Sequence, residues 1–115
     1  MTGAVIYNLI NSIVRVYPLQ ASQGKAFPLA TYTVNREPIN DMNGTATAAL
    51  DKVVITVHGK TYDEVESLKN SIVAALDWYS GTGVQIIRYT GDDDLYQVDP
   101  QVYGKRIEFD FWIEL

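Results

Sequence analysis

The chain has 115 residues, no cysteine and a net charge of −5 from fourteen acidic and nine basic side chains. A chain of this length builds one core, and burying roughly two-thirds of its unfolded surface lets a 47% hydrophobic composition hold together without metal or disulfide. The lack of cysteine excludes thiol catalysis, cysteine-ligated zinc and iron–sulfur chemistry, and the acidic balance argues against sequence-general nucleic-acid binding, because at long range the surface repels phosphate.

Residues 1–115 are therefore expected to form a single domain. The opening Met-Thr-Gly-Ala-Val-Ile-Tyr lacks the basic region and long apolar core of an export signal, so export is not expected. No apolar run approaches the roughly 20 residues of a membrane span, so no membrane association is expected and the protein should be soluble. An acidic surface suits a protein that DNA must pass without sticking; it equally suits plain solubility, and composition favours the latter.

In chain order, Ala4 to Ile13 places Val5, Ile6, Leu9, Ile10 and Ile13 on one side of a short helix, with Asn8 and Asn11 opposite. Val14 to Tyr17 reads as a brief strand closed by Pro18. Leu29 to Asn35 alternates, with Ala30, Tyr32 and Val34 on one face. Glu37 to Thr47, with Pro38, Asn40, Asp41, Asn43 and Gly44, reads as a long turn-rich connection, and Leu50 to His58 alternates again, so a hairpin with an extended tip is expected.

Thr61-Tyr62-Asp63-Glu64 has the spacing of a capping box, in which the Thr hydroxyl accepts from the amide three residues on and the Glu reaches back. Val65, Leu68, Ile72, Leu76 and Tyr79 then recur at helical spacing, and Ser80-Gly81-Thr82-Gly83 is expected to end the helix. Val84 to Tyr89 and Leu95 to Val98 read as strand segments interrupted by a solvated Gly91-Asp92-Asp93-Asp94 loop. In the last segment Ile107, Phe109, Phe111, Ile113 and Leu115 alternate with Arg106, Glu108, Asp110, Trp112 and Glu114, giving one buried and one exposed face. The pattern predicts an α+β fold, a two-layer domain with an antiparallel β-sheet and two helices packed on one face.

No pattern in the sequence carries catalysis. His58 is the sole histidine and no G-x-S-x-G elbow accompanies it; a pairing with a carboxylate such as Asp51 is the one enzymatic alternative. Counted from Asp92, the EF-hand positions that need Gly and Glu hold Gln97 and Tyr103. Gly81-Thr82-Gly83 follows a helix, the reverse of a phosphate cradle. Neither a metal nor a cofactor is expected, and the protein is read as a non-enzyme. The candidate functional residues form instead a subunit interface: Trp112 among the charges of Arg106 and Asp110, a large aromatic of the kind that anchors contacts, and Ile39 and Met42, apolar residues in a polar hairpin tip. Cover of Trp112 by a neighbouring strand of the same chain stays open. So does a small-ligand module, for which Tyr89, Tyr96 and Tyr103 would line a pocket.

The order and spacing of these segments resemble the tail-completion, or tail-terminator, proteins of long-tailed bacteriophages. The resemblance covers nearly the whole chain. It rests on Ala4-Val5-Ile6-Tyr7-Asn8-Leu9-Ile10, Val16-Tyr17-Pro18, Phe27-Pro28-Leu29-Ala30-Thr31-Tyr32, Val53-Val54-Ile55-Thr56-Val57-His58-Gly59, Thr61-Tyr62-Asp63-Glu64-Val65, Val73-Ala74-Ala75-Leu76-Asp77, an acidic Tyr-containing turn and Phe109-Asp110-Phe111-Trp112. The initial helix departs from the pattern in being shorter than is usual there. The resemblance implies a structural virion protein, present in the host cytoplasm during assembly, that forms a ring, typically a hexamer, on the head-proximal end of the tail tube. Such a ring stops tube polymerisation and joins tail to head through a connector or neck protein. DNA passes through its lumen without specific binding. A neighbouring head-to-tail joining protein fits the same pattern.

Overall fold

The computed structural model describes residues 2–18, 28–40, 44, 46–81, 83–97 and 102–114. Their order is α1 (Thr2–Ile10), β1 (Arg15–Pro18), β2 (Leu29–Asn40), β3 (Ala46–Gly59), α2 (Tyr62–Leu76), β4 (Val84–Gln97) and β5 (Val102–Glu114). The strands form one sheet in the order β1-β2-β3-β5-β4, antiparallel throughout except where β1 lies parallel to β2. This is the expected α+β architecture, with one parallel edge strand added.

Alternation decides which face each strand buries. Ile107, Phe109, Phe111 and Ile113 of β5 are buried, as are Val53, Ile55 and Val57 of β3 opposite them. Ile6 and Ile10 of α1 and Ile72 and Leu76 of α2 join the same cluster, so both helices cover one face and leave the other open. Phe109 and Phe111 meet edge to face at 6.5 Å between ring centres, a favoured aromatic geometry. Gly3 allows a close approach: a Cβ there would lie 2.5 Å from the Tyr32 hydroxyl oxygen.

The Thr61 cap forms as its spacing predicts. Its Oγ1 accepts from Glu64 N at 3.2 Å, while Glu64 Oε1 reaches one residue further back than a capping box requires and accepts from Lys60 N at 3.3 Å. The helix then stops earlier than the glycines imply. Asp77 is already extended, and Trp78 takes a left-handed φ of 68°. The turn is fixed because Trp78 N donates to Ile87 O at 2.8 Å and Tyr79 O accepts from Ile87 N at 3.0 Å, which docks 78–79 on the outer edge of β4.

Two loops expected from turn-forming residues are strands. Glu37–Asn40 continues β2 and 46–50 already belongs to β3, so the hairpin is longer and its tip shorter than the sequence predicts. Gly91–Asp94 is not a solvated loop: β4 runs unbroken through it, absorbing the extra residue as a bulge between Tyr89 and Gly91.

Candidate subunit interface

The open face of the sheet is set by the residues of β5 that alternate with its buried ones. Trp112, Asp110, Glu108 and Arg106 lie there, away from the helices. Trp112 stands in a row between Leu50 of β3 and Ile86 of β4 and is half-buried by its own chain, so the cover left open in the sequence is partly intramolecular. Arg106 Nη2 lies 2.6 Å from Asp93 Oδ2, a contact that raises the guanidinium above its usual range. Asp110 faces Lys52 and Arg88 in register. It lines, with Lys52, Val54, Thr90 and Glu108, a groove of about 290 Å³. Ile39 belongs to the same face, paired with Ala48 and then Glu114, one row beyond the Trp112 row. Four of the five candidate residues thus share one face, and Met42 lies outside the described residues.

Past the end of β1 the hairpin of β2 and β3 carries this face on as an arm whose inner strand, β3, stays paired with β5 from Ala48 to Gly59. β1 pairs only with Leu29–Tyr32. From Thr33 to Ile39 every residue of β2 is exposed, including Val34 at 39% and Ile39 at 40%. A run exposed on both faces is unusual for a strand whose hairpin partner contributes Ala49, Asp51 and Val53 to the interior. The arm is stiffened from inside: Arg36 Nε and Nη2 grip Asp51 Oδ1 and Oδ2 at 2.7 and 3.0 Å, with Asp51 fully buried. Lys52 and Glu37 add a contact at 3.4 Å on the open face. Val34 escaped the sequence reading because strict alternation assigns it to the core face. Its exposure follows from the helices not reaching that far along β2.

The other end of the sheet is held by an ion network inside the chain. Lys105 of β5 is buried on the helix face, 2.7 Å from Asp94, 2.9 Å from Glu66 and 3.6 Å from Asp92. Its contacts with Asp94 and then Glu66 hold the ammonium above its ordinary range. Lys69 reaches Asp92 at 3.4 Å, and the Tyr89 hydroxyl donates to the same carboxylate. That bond keeps Asp92 below the usual carboxylate range and pushes Tyr89 up to about 12. The three aspartates therefore divide between faces, Asp93 to Arg106 and the others to Lys105, and act as structural counter-ions. Among the described residues no group of His, Asp or Glu is arranged to hold a metal ion, and no helix is long and apolar enough to cross a membrane. Nearby, Trp78 is 66% exposed with the Arg88 guanidinium 3.4 Å from its ring centre, a surface aromatic the sequence reading passed over.

No family model matches the chain, and no curated protein matches it. Among solved structures it is similar to a chain of the virion of a native gene transfer agent particle. The two share a TM-score of 0.72 and 14% sequence identity over 97% of this chain and 86% of that one. The fold is that of a virion chain.

The alternatives fare less well. His58 and Asp51 have opposite parity on β3 and face opposite sides of the sheet, Asp51 being held by Arg36, so the proposed enzymatic pair does not form. Burial holds His58 below its ordinary pKa. Tyr89 packs on Phe109 at 5.9 Å and Tyr103 on Tyr62 at 6.4 Å, and neither lines the groove. The side chain of Tyr96 is outside the described residues.

Proposed function

We propose that the chain is a structural virion subunit that closes into a ring, hexameric by its resemblance, on the head-proximal end of a tail tube. The ring ends tube polymerisation and joins tail to head, with a tube protein on one side, a connector or neck protein on the other and DNA in the lumen. The observation that carries this reading is the fold shared with a virion chain over nearly the whole length. The arm supports it, because an extended hairpin whose outer strand is exposed on both faces is a surface shaped for neighbours rather than for a substrate. Glu108, Asp110 and Glu114 on the open face make no ion pair among the described residues, which suits a surface that DNA slides past.

The test adds purified protein to polymerising tail-tube protein and follows tube length by electron microscopy. Tubes that stop growing and carry extra density at one end are expected. Tubes that lengthen unchanged, with bare ends, contradict the role.

A further inference from the structure

The direction of every backbone group in the sheet follows from one edge. Ile87 bonds outward through both its groups, to Trp78 N and Tyr79 O, and Tyr89 N donates outward to Asp77 Oδ1 at 3.0 Å. Successive residues of a strand turn their N–H and C=O to opposite sides, so Ile86 and Arg88 bond β5. Followed through the registers, Phe111 bonds Asp51, Lys52 bonds Asn35, and Val34, Arg36 and Pro38 are left pointing away from the sheet. Proline is tolerated inside β2 for this reason: its missing N–H falls on the outer edge. Among the described residues the outward N–H and C=O of Val34 and Arg36 and the C=O of Pro38 meet no backbone partner. Past the bulge, Asp92, Asp94 and Tyr96 leave a second row open among the described residues, on the opposite edge.

These two open edges match. Thr33–Ile39 and Gly91–Gln97 are equal in length, one bounded by β1 and the other by the docked Asp77–Tyr79 segment. Three antiparallel steps separate β2 from β4, so the two run in opposite directions, as antiparallel pairing between rotated copies requires. They also lie diagonally across the sheet. The level of Arg36 passes through Asp51 and Phe111 to Ile87, about six ladder positions short of Asp94, with Thr90 the bulged residue. At about 3.3 Å per residue that offset is about 20 Å, against about 19 Å for four inter-strand steps, a tilt of about 45°. Closed sheets tilt by roughly 35–45°. Pairing the middles of the edges brings Arg36, 44% exposed, toward Asp94, 58% exposed, while Glu37 and Asp93, set opposite each other, bring their own cations Lys52 and Arg106.

We infer that the β2 edge of one copy pairs antiparallel with the β4 edge of the next, so that the sheet runs continuously round the oligomer. This deepens the ring reading and rests on it for the number of copies. A two-fold β2–β2 contact would stop at a dimer and leave both β4 edges open.

Because the chain has no cysteine, any disulfide reports only introduced residues. Glu37→Cys with Asp93→Cys, mildly oxidised, is expected to give a ladder ending in one top band, reversed by reductant and at least about tenfold stronger than either single variant. Dimers formed as efficiently by Glu37→Cys alone overturn the proposal in favour of the two-fold contact. A double variant that docks on tail tubes without cross-linking overturns the pairing and leaves the tube role standing; a ladder from protein that never docks does the reverse. Val34→Pro removes one outward N–H and no ladder bond. It is expected to weaken self-association at least about tenfold with thermal unfolding little changed, and unchanged association in a folded variant overturns the proposal. Amides of Val34 and Arg36 protected from exchange in the monomer do so too, since the chain itself would then cover the edge.

Discussion

The two ends of the sheet are built on different terms. Around Lys105, two strands and a helix converge on a buried ammonium, and the carboxylates, the second lysine and Tyr89 all find partners within the chain. Along the arm, β2 is exposed on both faces and, among the described residues, open along its edge from Thr33 to Ile39, although Asp51 beneath it is fully buried. One end has spent its charged side chains on its own fold and keeps only backbone groups of the β4 edge available, and the other has kept apolar side chains available as well. Apolar residues such as Val34 and Ile39 in a stiffened strand with one edge open among the described residues are what an assembly contact needs, whereas an ion network within the chain supplies rigidity.

Substitutions should separate the two ends by what they change. Phe111→Ala, in the core shared by both, is expected to cost about 3–5 kcal/mol by urea unfolding and to abolish assembly through loss of fold. Lys105→Met leaves three carboxylates facing one another; since Glu66 and Asp94 keep access to water, a loss of about 2–4 kcal/mol is expected, and a loss below about 1 kcal/mol would show the network to be incidental. Thr61→Ala should cost about 1 kcal/mol by removing the cap on α2. Val34→Ser or Ile39→Ser should change stability by no more than about 0.5 kcal/mol and yet weaken self-association measured by sedimentation. Equal effects on folding and association at the arm would erase the contrast.

The end around Lys105 also sets the pH response. Asp92 is depressed, so the stability it contributes is complete above its unfolded value of 3.8 and is lost as pH falls through the lower folded value. Tyr89 is raised, so its contribution is complete below 10.0 and disappears as pH climbs toward about 12. Denaturant titrations at both extremes should show the two losses, and Tyr89→Phe should remove the alkaline one.

Much of the layout was legible because side-chain periodicity reports burial directly. The alternation from Arg106 to Ile113, the Val65, Ile72 and Leu76 stripe and the Thr61 cap all stand where the spacing put them. What failed did so where local turn chemistry was overruled by the sheet. Pro38 reads as a strand breaker until the register shows its nitrogen on the outer edge. Asp92, Asp93 and Asp94 read as a solvated loop until Lys105 and Arg106, on a strand that follows in sequence, supply their charges. Trp78 ends α2 against the backbone of β4, a tertiary contact that no helical pattern contains. Of the candidate interface, the alternation placed Trp112, Arg106 and Asp110 together, but the open edge depends on how short β1 is beside β2, and Pro38, the residue that marks it, reads equally as a turn.

The most direct test of assembly is the absolute mass of the purified protein by light scattering over a wide concentration range, alone and with tail tubes. A single closed species, a hexamer by the resemblance, is expected in at least one condition, with no open-ended growth. A chain that stays monomeric with tubes present, or that grows without limit, contradicts the ring.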